Sequence, residues 1–281
     1  MKFFTKEEEL PIVLEIRKHI LDSFSNVVFN EEGHRYTVDG KFLRSVSSVT
    51  HKYMDKFDAK KQSISYAEKH GMTPEYWMEE WAKKGLMSTT NGTLVHEYGE
   101  SLAWVKSGYP EKIIDRIQKQ YDKKRNWLIP CSPMQKAVFN FFDDLDENLH
   151  VVLTECPMVS NKTPETTLSE QLCGTFDLLM YYDDPKKVNS GLYMFDYKTN
   201  NELESEYSRS HSKMCKAPFD FMYDESLAGY TFQQSLYSMF LAGIGLEVKG
   251  LRLVHIKPDE TYNIVKLRDL SRTFPSFNTY F

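Results

Sequence analysis

Basic residues do not outnumber acidic ones in this chain: 35 Lys and Arg face 40 Asp and Glu, leaving a formal charge of −5. A protein that coats a long stretch of nucleic acid needs a basic surface, so a large electrostatic footprint is disfavoured. A compact site that neutralises one phosphate with bound cations is not. Cysteine is equally scarce. The four thiols, Cys131, Cys156, Cys173 and Cys215, lie far apart with no C-x-x-C pair, which argues against a zinc knuckle and a disulfide framework. They read as reduced thiols of an intracellular, cytoplasmic protein. No apolar run approaches the roughly 20 residues that span a bilayer, so no membrane partner is expected. The start, Met1-Lys2-Phe3-Phe4-Thr5-Lys6-Glu7-Glu8-Glu9, turns acidic at once, unlike a secretory signal or an arginine-rich transit peptide. No Walker motif or helicase segment occurs, so the chain is expected to carry no ATP-driven motor. Internal repeats and low-complexity tracts are absent too.

What remains is 281 residues, 41% hydrophobic and 27% charged, enough for one large domain or a domain with a helical annex. Residues 1–130 read as a helix-rich region, and 131–281 as the core. An amphipathic segment runs from Glu7 to Phe24. The stretch His34 to Phe42 reads as a hairpin turning at Asp39-Gly40. Helical patterns follow at Ala59–His70, Pro74–Lys84 and Gly92–Lys106. Ser132-Pro133 opens a helix reaching about Leu149, with Pro133 at its first position. The period then becomes strand-like over His150–Val159, Glu170–Tyr182 and Gly191–Lys198. A polar loop spans Asn200 to Glu225, a helix Ser226 to Gly243, and strands Gly250–Ile256 and Tyr262–Leu267 complete the order.

Two of these strands carry the chemistry. Gly174-Thr175-Phe176-Asp177 and Phe195-Asp196-Tyr197-Lys198 are apolar segments with a carboxylate each and a lysine two residues past the second. Alternation puts Asp196 and Lys198 on one face while Tyr197 points the other way. The link from Asp183-Asp184-Pro185 to Ser190-Gly191 makes the strands neighbours, bringing Asp177 beside Asp196. Two carboxylates and an ammonium at a strand edge suit a hard cation next to a scissile phosphate.

This order of elements, with Asp177 and Asp196-Tyr197-Lys198 so placed, resembles the PD-(D/E)XK nuclease superfamily, specifically its RecB-type exonuclease branch. Gly92-Thr93-Leu94-Val95-His96 is similar to that branch's G-x-x-x-H helix, which supplies a histidine ligand. Glu155 matches the acidic residue of the first core strand, and Gln233-Gln234-Ser235-Leu236-Tyr237 its Q-x-x-x-Y motif. The segment His34 to Thr50 resembles, more loosely, the lead-in of phage and mitochondrial genome maintenance exonucleases. The likeness covers about residues 92–257. It implies an α/β fold with a restriction-endonuclease-like core, a mixed central sheet flanked by helices, and a helix-rich N-terminal region. It implies Mg²⁺ or Mn²⁺ held by His96, Asp177, Asp196 and the Tyr197 carbonyl. Lys198, Asp196, Asp177 and Glu155 would be catalytic, and Gln233 and Tyr237 would contact DNA or buttress the lysine. The expected substrate is DNA, single-stranded or with a free end, cut by exonucleolysis during recombination, repair or replication. A helicase or recombination partner acting in trans is compatible with it, as is a host cytoplasm if the source is viral. The four-cysteine iron–sulfur cluster of some relatives is not expected, because no cysteine follows Cys215.

Each residue also has a plainer reading. His96 alone reads as an ordinary helix residue, Glu155 as strand surface, and Gln233 with Tyr237 as packing on one helical face. The run Lys119, Lys123, Lys124 and Arg125 is a solvated face or a phosphate track. Trp77, Trp81, Trp104 and Trp127 are mainly core, although a base could stack on one of them. A structure-specific endonuclease and a catalytically silent DNA-binding or assembly module are the alternative functions; the complete set of carboxylates and lysine argues against the silent one.

Overall fold

A computed structural model of the chain describes residues 9–30, 33, 35–107, 129–160 and 171–274. The basic run Lys119 to Arg125, Trp127, His34 and Glu170 lie outside them.

The chain enters through α1 (Pro11–Ser23), which has Pro11 in its first turn and buries Val13, Ile16, Arg17 and Ile20. That three-to-four spacing is one helical stripe. Strands β1 (Val27–Asn30), β2 (Arg35–Val38) and β3 (Lys41–Ser45) form an antiparallel meander. Between β2 and β3, Asp39 (φ 50°) and Gly40 (φ 76°) are both left-handed, the conformation that lets a two-residue turn follow the twist of its strands. Helices α2 (Val46–Thr50), α3 (Ala59–His70) and α4 (Pro74–Ser107) follow. The sequence suggests two helices where α4 is one. Gly85 costs about 1 kcal/mol relative to alanine, but no proline breaks the run, and the helix continues through Thr89, Thr90 and Thr93, whose hydroxyls bond the carbonyls four residues back.

The core continues with α5 (Pro133–Asp143), β4 (Leu149–Val159), β5 (Leu172–Tyr182), β6 (Gly191–Lys198), α6 (Glu206–Ser210), α7 (Ser226–Gly243), β7 (Val248–Ile256) and β8 (Tyr262–Leu267). Ser132 caps α5 by accepting from Gln135 N–H. The helix stops at Asp143, short of the expected Leu149, because acidic residues at a helix C-terminus oppose its dipole and Asp146 turns the chain by accepting from Asn148 N–H at 2.8 Å. The loop from Asn200 to Glu225 is tied down rather than loose: it contains α6, and Arg209 and Lys213 pair with Glu225 and Asp224 at 3.0 and 2.8 Å.

The result is a mixed α/β fold with a mixed central sheet flanked by helices. Strand order is β1-β2-β3-β5-β6-β7-β8, and β4 takes the remaining edge of β5. Since β3 runs parallel to β5 at Arg44↔Leu172 and Ser45↔Cys173, segments from both 1–130 and 131–281 build one sheet. On β6, Leu192 and Met194 join a core with Phe232, Leu236 and Phe240 of α7. Phe195 and Tyr197 join a second core with Tyr98 and Leu102 of α4 and Phe141 of α5. Alternation thus gives each face its own helices. A bulge in β4 between Val151 and Leu153 presents two carbonyls to buried Arg17, whose Nε and Nη2 donate to Val152 and Val151 at 2.7 and 3.0 Å. No described helix is long and apolar enough to cross a membrane.

One irregularity positions the site. β5 pairs with β4 along one edge; on the other it meets β3 at Leu172–Cys173 and β6 only from Leu178 onward. Between Cys173 and Leu178 that edge has no strand partner among the described residues. Gly174 to Asp177 line the opening.

Candidate metal centre

Register alone aligns three carboxylates. Leu178 opposite Phe195 sets Asp177 against Asp196, and Thr154 opposite Leu178 with Cys156 opposite Phe176 sets Glu155 against Asp177. Where β5 and β6 part, side chains replace the ladder. Asp177 Oδ2 accepts from Tyr197 N–H at 2.8 Å, and the Asp177 carbonyl accepts from the Thr154 hydroxyl at 2.7 Å. The acid is thereby fixed at both ends.

Glu155 departs from strand geometry, with φ at 45°. A left-handed non-glycine residue costs about 1–2 kcal/mol, and such strain concentrates at functional sites. It also reverses the facing of β4: Leu153 before it and Cys156 and Met158 after it enter the same core, which strict alternation forbids. A sequence pattern does not reveal this twist.

His96 comes from α4. Its Nδ1 lies 3.4 Å from Glu155 Oε1 and 3.4 Å from Asp177 Oδ2, and its ring stands edge-on to Tyr197 at 5.8 Å. Gly99, one turn on, makes this approach feasible, since a Cβ there would come within 2.8 Å of the Tyr197 ring. One donor atom from each of His96, Glu155 and Asp177 lies within 4.8 Å of the others. Octahedral coordination with bonds of about 2.0–2.1 Å puts adjacent ligands about 3 Å apart. The three donor atoms would have to draw closer to share one such ion; two hard oxygens with one imidazole are a donor set of the kind that Mg²⁺ or Mn²⁺ takes.

Asp196 and Lys198 form a second unit. Asp196 is 1% exposed and engages the Lys198 ammonium; its carboxylate is outside the close group with His96. Lys198 Nζ also lies 4.8 Å from the ring centre of Tyr230, whose hydroxyl donates to Asn200 Oδ1 at 2.5 Å. The Asn200 carbonyl in turn bonds His255 Nε2 at 2.6 Å. Tyr197 contributes its N–H to Asp177 and buries its ring in the second core.

Burial and mutual charge set the protonation of the group. Burial pushes the Asp196 carboxyl up to about 6, helped by Asp177, while Lys198 pulls it down. Asp177 is raised by burial against the pull of His96 and Lys198. Burial alone would lower His96, but the Asp177 charge and the Glu155 hydrogen bond raise it to about 9. Burial opposes the charge on Lys198 too, yet Asp196 and Asp177 raise it above its ordinary range.

Gln233 and Tyr237 occupy one face of α7, joined by a hydrogen bond of 3.0 Å from Gln233 Nε2 to the Tyr237 hydroxyl. Tyr237 is buried against β5, where a Cβ on Gly174 would meet its Cε1 at 2.3 Å. Sequence reading overlooks Gly99, Gly174, Thr154, Tyr230 and Asn200. The two glycines do leave a signal, since glycine inside a helix or strand marks close approach. The outer rim adds Tyr36, which shares a 3.0 Å hydrogen bond with Thr175 across the opening of β5. A scan against models of protein families finds none that matches this chain, and a search of curated proteins finds no match either.

Proposed function

We propose that this chain is a divalent-metal-dependent DNA exonuclease of the RecB-type PD-(D/E)XK branch, hydrolysing phosphodiester bonds from DNA ends in recombination, repair or replication. The observation that carries the reading is the meeting of His96, Glu155 and Asp177 within 4.8 Å, next to the Asp196–Lys198 pair.

When bound, Mg²⁺ or Mn²⁺ supplies Lewis acidity and lowers the pKa of water. The rest falls to the protein. Glu155 and Asp177 offer the hard oxygens, and Asp177 keeps its orientation through Tyr197 N–H. His96 must give up its proton to serve as a ligand. Lys198, with its raised pKa, stays protonated at neutral pH and so is no general base. Its ammonium, aimed by Asp196 and the Tyr230 ring, instead stabilises charge gathering on the phosphoryl oxygens as water attacks phosphorus and the P–O bond to the leaving sugar oxygen breaks, that oxygen taking up a proton to end as a hydroxyl. A preorganised cation of this kind acts mainly in the transition state.

The test is degradation of end-labelled single-stranded DNA, linear and circular, with Mg²⁺, Mn²⁺ or chelator. Metal-dependent loss of the linear form, resistance of the circle and inactivity of Asp177→Ala are expected. Cleavage in chelator overturns the metal reading, and rapid opening of the circle overturns the exonuclease reading.

A further inference from the structure

A cleft of about 510 Å³ opens between the segment that follows α2 and the first two turns of α7. Lys56 and Phe57 line one wall, with the hydroxyl residues Ser47 and Thr50, and Tyr230 and Gln233 line the other. Its inner wall is shared with the catalytic centre. Tyr230 also lies against Lys198, whose Nζ is 4.8 Å from its ring centre, and Gln233 is bonded to the Tyr237 that packs on β5.

The lining has the makings of a nucleotide seat. Phe57 is 69% exposed and is braced by an edge-to-face contact with Trp81 at 5.4 Å, so its ring is held in place yet open to solvent. Lys56 is exposed and forms no ion pair among the described residues. The acidic wall residue, Asp55, is paired with Lys216 at 3.2 Å. Ring, cation and hydroxyls together match how single strands are held, by bases stacked on aromatics and phosphates met by positive charge. The volume lies in the range of small-molecule sites, about 300–1,000 Å³, which suits one or two nucleotides and not a duplex.

We infer that this cleft seats one or two unpaired nucleotides of a single DNA strand adjoining the scissile phosphate, with a base stacked on Phe57 and a phosphate held by Lys56. The inference rests on the nuclease reading and specifies its substrate. A paired base has both faces covered by its neighbours and offers none to Phe57, so a duplex must fray before entering.

Fluorescence anisotropy of a labelled 12-nucleotide oligo-dT, in chelator, tests it with wild type, Phe57→Ala and Lys56→Gln. Phe42→Ala serves as control, its ring being 67% exposed but outside the cleft. Phe57→Ala should weaken binding about 5- to 150-fold, the range for one lost stacking contact. Lys56→Gln should lower the slope of log affinity against log salt by about 0.7, and Phe42→Ala should bind as wild type. Circular dichroism checks that each variant folds. Equal binding by wild type and Phe57→Ala overturns the cleft, as does blunt duplex binding with the same dependence on Phe57. The two readings separate cleanly: cleavage with binding indifferent to Phe57 sinks only the cleft, and Phe57-dependent binding without cleavage sinks only the nuclease.

Discussion

Asp196 is a carboxylate that the fold ionises at a cost. Burial, and secondarily the charge of Asp177, carry its pKa from an ordinary 3.8 to about 6, even with Lys198 alongside. At about 1.4 kcal/mol per pH unit, that rise amounts to about 3 kcal/mol. The sign follows from linkage: the folded chain holds this proton more tightly than the unfolded one, so stability falls as pH climbs from about 4 to about 6 and stays lower above. Asparagine stands in for the neutral acid, and Asp177 still faces Lys198 in the variant. Lys198 loses its nearest counter-charge in that variant, which offsets part of the gain. Asp196→Asn should therefore gain about 1–3 kcal/mol at pH 7.5, raising the melting temperature by roughly 2–10 °C, while losing the proposed metal-dependent nuclease activity. At pH 4 the advantage should shrink to well under 1 kcal/mol, because wild-type Asp196 is by then protonated in the fold. The assay is thermal unfolding by circular dichroism in chelator at both pH values. A variant that melts at or below wild type at pH 7.5 refutes the reasoning, and so does an advantage equal at both.

Gly174→Ala forces a methyl group to within 2.3 Å of Tyr237 Cε1 and should cost about 1–3 kcal/mol by denaturant titration; Tyr237→Leu added to it should recover part of the loss, and strict additivity would show that the two do not touch. Glu155→Gly should fold within about 1 kcal/mol of wild type, because relief of the left-handed backbone offsets the entropy of glycine, whereas Glu155→Val should lose about 2 kcal/mol or more; equal losses contradict the strain. His96→Ala should need more metal for DNA degradation, proportionally more so for Mn²⁺ than for Mg²⁺, since imidazole is softer than carboxylate. Metal titrations that coincide with wild type for both ions would remove His96 from the site.

Where the chain carries its own punctuation, the sequence is a reliable guide. Gly191 opens β6, a glycine pair at Gly243 and Gly245 closes α7, and the bounds of both match the patterns read from the sequence. Alternation likewise places Asp196 with Lys198, which the ion pair reflects. Local signals fail where distant segments decide. β1 is too short to announce itself, and the parallel pairing of β3 with β5 joins residues more than a hundred positions apart. In the site, the three acids are legible as acids, but their grouping is not. Asp177 and Glu155 meet His96 because β6 parts from β5 after Phe195, three residues before its own end, and Glu155 twists β4, and neither event follows from residue type. The stretch between Lys84 and Gly92 misleads in the opposite sense, suggesting a break where the structure has one continuous helix.

The length of α4 has a mechanical meaning. Its 34 residues make a rod of roughly 50 Å. Trp77 and Trp81 stand near one end, against Tyr66 of α3 at 4.6 and 5.7 Å. His96 stands well over half way along, and from Val95 onward the rod is clamped in the second core. The carboxylates facing His96 belong to the sheet. The two halves of the candidate ligand set are thus carried by separate elements, and Gly99 permits their approach, since a side chain there would run into the Tyr197 ring. Because Val95, next to His96, is itself packed in the second core, the imidazole is held where rod and sheet meet.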